Sequence, residues 1–424
     1  MRYVRRVLDH ELDELMPGLP AIAVDGPKGV GKTATCGQRA ATVLGLDDPL
    51  TLSLVRADLD RALGGARPIL IDEWQRAPAL WDRVRRAVDA GAPPSSFLLT
   101  GSASPALGAI AHSGAGRIAS LRMRPMAMPE RGLQEPTVSL ASLLDGGHPP
   151  VSGDSSLALA DYAAEIESSG FPGIRALSPR ARRTQLDSYL TRALSRDLAD
   201  AQGVTVRRPD SLRAWAIAYA TATSSTATWE TIRTAASPGD ADPPSKPTTV
   251  RYRDWLTALW LLDPVPAWRP QGTAMKGLTR SPKHHLADPA LAARLMKVGA
   301  AALLDGEGRV IPGGPASALG ALFESLATLT VRVCAQAAEA TTSHLRTNRG
   351  DREIDLIVER HDGRAVGIEI KLAPTIDNKA VRHLHWLREH HGHLISDLVV
   401  LTTGPHAYRR TDGIAVVPLG LLGP

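Results

Sequence analysis

One stretch, AIAVDGPKGVGKTAT at 21–35, constrains this chain more than any other. A short apolar run, Ala21 to Val24, leads into Gly26-Pro27-Lys28-Gly29-Val30-Gly31-Lys32-Thr33. That octet has the form G-x-x-x-x-G-K-[ST], set between a predicted strand and a predicted helix. The residue types have a physical logic. Gly26, Gly29 and Gly31 let the backbone curl until its N–H groups converge, and the helix that follows adds the positive end of its dipole. Such a cradle fits the phosphates of a nucleotide. Lys32 would reach the β and γ phosphates and the Thr33 hydroxyl would ligate Mg²⁺, so ATP and Mg²⁺ are the expected cofactors. For the octet alone, a ligand-free glycine-rich turn is the alternative.

The next segments supply the rest of such a site. PILIDE, at 68–73, reads as a buried strand ending in Asp72 and Glu73. An acid there holds Mg²⁺ through water, which makes Asp72 a metal-site candidate with Thr33. An adjacent glutamate can polarise the water that attacks the γ-phosphate, which makes Glu73 the candidate base. The strand at 96–100 opens FLLTGSAS and ends in Thr100, whose hydroxyl could position the same water or merely finish the strand. Arg117 precedes a strand at 118–123, where ring-forming ATPases keep the arginine that reaches a neighbour's nucleotide. Arg122 and Arg124 are the alternatives, or all three merely form surface salt bridges, and a homo-oligomer is the corresponding expectation. Between these motifs the pattern predicts helices at 2–16, 32–43, 58–63 and 79–90 and a second strand at 50–55. Strands alternating with helices give a parallel sheet covered on its faces, with ligands beyond the strand C-termini.

A length of 424 residues exceeds one ordinary core. The expected division is a P-loop ATPase domain at 1–131, a Gly/Pro/Ser-rich linker at 132–156, a helical domain at 157–310 and an α/β domain at 311–424. In the helical part, helices at 211–222, 228–236 and 248–262, interrupted by a loop at 237–247, precede a hairpin around 263–269. That is the order of a winged helix-turn-helix, with a plain helical linker as the alternative. Net charge is +5 with a pI near 9.3, which permits nucleic-acid binding without arguing for it. Cys36 and Cys334 stand far apart without metal-ligand spacing, so a disulfide framework is out. With no run of about 18 apolar residues, a cytoplasmic protein without a membrane span is expected.

The last part carries a second constellation. After a helix at 318–338, strands at 354–359, 365–372 and 398–402 are predicted. Asp355 followed by Glu369-Ile370-Lys371 has the D…E-x-K pattern of metal-dependent nucleases. Glu369 and Lys371, two apart, share one face of a strand. With Glu324 upstream, these carboxylates could hold a divalent metal while Lys371 steadies the attacking water. An ordinary wet strand face has the same pattern, and both readings stand. The histidines at 284–285 and 383–393 lack partners at ligand spacing and read as polar face.

Together with GAGRIASLRMRPM, PKHHLADPAL and GALFESLA, these segments resemble bacterial and archaeal AAA-type ATPases with a C-terminal domain of unknown function. The resemblance runs from about residue 21 to 371. It implies an α/β fold class: a P-loop NTPase parallel sheet with an additional catalytic glutamate, a winged-helix middle, and a restriction-endonuclease-like end. It places Lys32 and Thr33 on phosphate and Mg²⁺, Asp72 and Glu73 in the Walker B position, and Asp355, Glu369 and Lys371 on the nuclease-like motif. One departure is that Glu353-Ile354, not the usual Pro-Asp, precede Asp355. The expected function is a Mg²⁺-dependent ATPase coupled to a nucleic-acid-related action, with DNA or RNA as partner. A nucleotide-controlled DNA-binding regulator without nuclease activity is the alternative.

Overall fold

The computed structural model describes residues 3–103, 114–198, 206, 208–237, 242–269, 281–312, 314–347 and 350–424. Arg2 of the predicted first helix, Ser104 of FLLTGSAS and residues 238–241 of the middle-domain loop lie outside the described residues.

Strands β1 (Ala21–Asp25), β2 (Thr42–Gly45), β3 (Ile69–Asp72), β4 (Phe97–Gly101) and β5 (Ala119–Arg122) form a parallel sheet in the order β2-β3-β4-β1-β5. Its residues alternate strictly between two cores. Ile22, Val24, Leu70 and Leu98 face the core shared with the rest of the chain. Ala21, Ala23, Ile69, Ile71, Phe97 and Leu99 face a second core with Leu80, Trp81 and Val84 of the helix Ala79–Asp89. Both faces being covered explains why PILIDE and SFLLT read as continuous apolar runs.

Two expectations fail locally. Residues 50–55 are not a strand but part of the helix Pro49–Ala57, and the second strand is β2 instead. LTLSLV alternates like a strand, but Asp48 caps the turn by accepting from the Thr51 N–H at 2.8 Å, and Pro49 occupies the first helical turn. Leu50 and Leu54, one turn apart, are left exposed. The helix expected at 32–43 ends at Gly37, which frees the chain to enter β2.

The stretch 132–156, expected as a linker, is built into the C-terminal half. It forms β6 (Val138–Ser139), the helix Leu140–Asp145 and β7 (Gly153–Asp154). Leu140, Leu143 and Leu144 are fully buried at helical spacing, an apolar stripe hidden among the Gly and Pro that mark its flanks.

The middle of the chain is helical, with Leu159–Ser168, Pro179–Ala193, Pro209–Thr221, Trp229–Ala235 and Lys246–Ala258 as its main elements. After the last of these, the backbone of 262–265 pairs antiparallel with 283–286 through bridges at Leu262–Leu286 and Val265–Lys283. The expected hairpin around 263–269 is thus a short two-bridge ribbon, and Ala267 continues onto His344 of β8 (Ala340–Arg346).

β8 opens the C-terminal sheet, continued by β9 (Glu353–Arg360), β10 (Ala365–Lys371), β11 (Ile395–Thr402), β12 (His406–Arg409) and β13 (Ala415–Pro418). Its order is β7-β12-β13-β11-β10-β9-β8, parallel at β10/β11 and β11/β13 and antiparallel elsewhere. The final strand β14 (Leu422–Gly423) pairs with β6. The helix Ala318–Ala337 packs between this sheet and the N-terminal helix Val7–Leu15. Among the described residues it is long and apolar enough to cross a membrane, yet most of it is buried inside the protein, as a core helix is.

Candidate nucleotide site and a buried ion nest

The P-loop leaves β1 where β5 crowds it. A Cβ on Gly26 would stand 2.1 Å from the Met123 carbonyl oxygen, so only glycine permits this approach. Gly29 and Gly31 then take φ of 83° and 108°, the left-handed turn that lets Lys32 start the next helix. Lys32 is buried, and its ammonium donates to the carbonyls of Gly26 at 2.7 Å and Pro27 at 3.0 Å. Burial pushes its pKa down to about 8 against the opposing charges of Glu73, Asp72 and Asp25. An ammonium held in this way, with neutral carbonyls as its hydrogen-bond acceptors, is suited to an anion.

The parallel register sets the remaining groups at the same sheet edge. Asp72 lies opposite Thr100 in the β3/β4 pairing, and the Thr100 hydroxyl donates to its carboxylate. Thr33 donates to the same oxygen at 2.8 Å. The two residues expected to hold Mg²⁺ are thus in contact, one hydroxyl and one carboxylate, the hard oxygen donors that ion takes. Glu73 adopts φ 56°, a left-handed conformation unusual for a non-glycine residue, which turns its side chain towards β4. There it accepts from Ser102 Oγ at 2.7 Å and from the Gln75 amide. Gly101 is required beside them, since a Cβ would come within 2.9 Å of the Trp74 indole nitrogen.

Three participants were not expected. Asp25 ends β1, and burial raises its carboxyl to about 6 against the pull of Lys32 and Arg122. Its position directly before Gly26 was the available signal. Arg6, just before the N-terminal helix, donates from Nη1 to the Val30 carbonyl of the P-loop at 2.8 Å and from Nε to Glu130 at 2.9 Å. Nothing local in MRYVRR marks it. A cleft of about 430 Å³ lies outside the loop, between Lys28 and Gly29 on one side and Phe171, Ile174 and Tyr189 of the helical domain on the other. Lys28 reaches Asp197 at 3.3 Å across it.

The candidate arginines divide. Arg122 and Arg124 approach Asp263 at 3.0 and 2.9 Å, as does Arg332 at 3.0 Å, forming a largely buried cluster. Arg117 is half-exposed at the N-terminal end of β5, away from the P-loop edge, and pairs with Asp89 at 2.9 Å.

In the C-terminal sheet, Glu324, Asp355, Glu369 and Lys371 do come together. Lys371 pairs with Glu369 and stands 3.9 Å from Asp355. The Asp355 carboxylate also accepts from the Ile370 N–H at 2.9 Å. The sequence reading missed the centre of this nest. Lys283, 1 % exposed, donates to Glu324 and Asp355, both at 2.9 Å, and lies 3.1 Å from Glu353. PKHHLADPAL contained this lysine, but its partners lie 41 or more positions away. Among the described residues no group of His, Cys, Asp and Glu is arranged to hold a metal ion.

Comparisons with known protein families match three stretches of the chain. Residues 19–131 match the model of an AAA domain. Residues 159–302 and 319–422 match two domains of unknown function, DUF8612 and DUF4143. The match and the parallel P-loop sheet together support an AAA-type P-loop domain in the N-terminal part. An uncharacterised protein of Mycobacterium tuberculosis is 27 % identical over 407 residues, covering 94 % of this chain and 80 % of its own length, and one of Mycobacterium bovis matches equally. Among solved structures, the Walker-type ATPase PABY2304 of Pyrococcus abyssi aligns with a TM-score of 0.38 at 15 % identity, over 68 % of this chain and 94 % of its own. The Aeropyrum pernix ORC2 protein, solved as ADPNP–ADP complexes, aligns at 0.27 and 15 % identity, over 69 % and 90 %.

Proposed function

We propose that this protein is a Mg²⁺-dependent ATPase whose nucleotide state is passed to the helical and C-terminal domains in an action on nucleic acid. The observation that carries the first half is the convergence of Lys32, Thr33, Asp72 and Glu73 on one edge of the parallel sheet. Lys32 gives up its loop carbonyls for the β and γ phosphates. Thr33 and Asp72 hold Mg²⁺, which neutralises phosphate charge when bound. Glu73, aimed by Ser102 and Gln75, takes the proton of the attacking water. Thr100 fixes the Asp72 carboxylate rather than the water. Arg117, free of the Asp263 cluster, is the arginine available to a neighbouring copy in a homo-oligomer, in a cytoplasmic setting.

The second half rests on the middle domain. The helix Lys246–Ala258 follows two others in winged-helix order and leaves Lys246 and Arg251 exposed, as a groove-reading helix would. The nucleotide-controlled regulator is favoured over an ATP-gated nuclease by one feature, the ammonium of Lys283 among the C-terminal carboxylates.

Turnover of ATP with and without DNA or RNA tests the whole reading. Lys32→Ala should abolish ATP binding, and Glu73→Gln should bind ATP while hydrolysis falls by about two orders of magnitude or more. Normal hydrolysis by Glu73→Gln would remove the assigned base. A gel shift that weakens with salt and with Lys246→Ala/Arg251→Ala would support the nucleic-acid half.

A further inference from the structure

The C-terminal nest has the residue pattern of a metal-dependent nuclease, so the question is what cation its carboxylates are built around. An ammonium nitrogen has three protons to give. Around the Lys283 nitrogen stand three carboxylate oxygens, from Glu324 and Asp355 at 2.9 Å and from Glu353 at 3.1 Å. Two of its protons are given in hydrogen bonds, to Glu324 and Asp355, and Glu353 completes the ion pairing. The second Asp355 oxygen takes the Ile370 N–H, and one Glu369 oxygen takes Lys371. That leaves Glu369 Oε1, buried and without a hydrogen-bond partner, as the one acceptor still open in the E-x-K pair. Asp355 has both oxygens taken, and Mg²⁺ or Mn²⁺, which need several oxygens at once, would have to compete with Lys283 for those of Glu324 and Glu353. A divalent ion drawn to Asp355 and Glu324 would have to displace, or sit against, the buried Lys283 ammonium, whose backbone is paired with Val265.

We infer that Lys283 takes the place a divalent cation has in a D…E-x-K nuclease centre, and that the nest is an ionic latch between the middle and C-terminal domains rather than a cleavage site. Lys283 comes from the ribbon of the middle domain. Glu353 and Asp355 come from β9, Glu369 and Lys371 from β10, and Glu324 from the helix beneath. Four carboxylates against two ammoniums would leave two negative charges. Burial raises both Glu324 and Glu369 to about 8, against the pull of the lysines. Asp355 is opposed by burial but held well below the usual carboxylate range by Lys283 and Lys371. The inference is independent of the ATPase reading and survives its failure.

The test uses the full chain without nucleotide. Mn²⁺ is titrated and read by electron paramagnetic resonance, and DNA and RNA are incubated with Mg²⁺ or Mn²⁺. The expected result is no Mn²⁺ uptake that Asp355→Asn removes, and no cleavage. Uptake of Mn²⁺, or cleavage, that is present in the wild type and lost in Asp355→Asn overturns the inference. The latch is read separately. Lys283→Met should lower Tm by roughly 5–10 °C and speed amide exchange over 281–286. Lys283→Met/Asp355→Asn, which neutralises the stranded carboxylate, should recover a large part of both. An unchanged Tm and exchange pattern in Lys283→Met overturns the latch. Should that variant not fold, folding of the double variant supports the inference, and an equally unfolded double variant overturns it.

Discussion

At the scale of single residues, the site depends on how Glu73 is aimed. Its left-handed backbone costs roughly 1–3 kcal/mol in a non-glycine residue and persists because Ser102 and Gln75 hold the carboxylate. Ser102→Ala removes one of these hydrogen bonds, worth about 1 kcal/mol, and should lower kcat about fivefold with little change in KM. Steady-state kinetics at saturating Mg²⁺ checks this split. Lys32 gives a second prediction. Only its ammonium attracts phosphate, and in the free protein burial has lowered its pKa to about 8. Bound phosphates restore the proton, so ATP binding should take up a proton above pH 8, with affinity falling by about tenfold per pH unit. Calorimetry in buffers of different ionisation enthalpy reads the uptake. Below pH 7 it should vanish, because the lysine is already charged. Lys32, Thr33, Asp72 and Glu73 were legible because each lies in a contiguous motif with a fixed chemical role. Asp25 and Lys283 were not, since their roles exist only once distant strands have brought partners to them.

At the scale of elements, legibility followed burial only in part. In the P-loop sheet, β1, β3 and β4, covered on both faces, gave unbroken apolar runs and were found within a residue or two, whereas β13, equally buried, was not expected. The helix Pro49–Ala57 was mistaken because its exposed leucines counterfeit a strand, while the cap that decides the matter is the single residue Asp48. The N-terminal helix was found, but not what it does. Arg6 at its start is buried and ties three acceptors together: Val30 in the P-loop, the Arg124 carbonyl after β5, and the Glu130 carboxylate. Arg6→Ala would strand Glu130 in the interior without its countercharge. We expect a loss of about 3–5 kcal/mol in urea unfolding, accompanied by weaker ATP binding as the loop loses its brace. Arg6→Lys should recover only part of the loss, because one ammonium cannot span acceptors that a planar guanidinium reaches from three nitrogens.

At the scale of the whole molecule, the short ribbon of the middle domain carries a buried charge on each strand. Lys283 enters the C-terminal nest. Asp263 meets Arg122 and Arg124 from the edge of the ATPase sheet and Arg332 from the long C-terminal helix. All three parts of the chain thus share one carboxylate, and Arg122 also faces Asp25 beside the P-loop. Burial alone would raise the Asp263 carboxyl, but Arg124, Arg332 and Arg122 together hold it well below the usual range. A group depressed in this way stabilises the fold fully above its unfolded pKa of about 4, and that contribution is lost as pH falls towards the folded value. Asp263→Asn should therefore cost stability at pH 7 and make the acid limb of a stability–pH profile shallower than in the wild type. Asp263→Ala should go further, leaving three guanidiniums together without their countercharge, at a cost of about 3–5 kcal/mol or more. The cost falls on the junction rather than on either sheet. Calorimetry should show one transition for the wild type and separate N-terminal and C-terminal transitions for Asp263→Ala, whereas one undivided transition at lower Tm in the variant would mean that the parts are joined mainly by the apolar core they share.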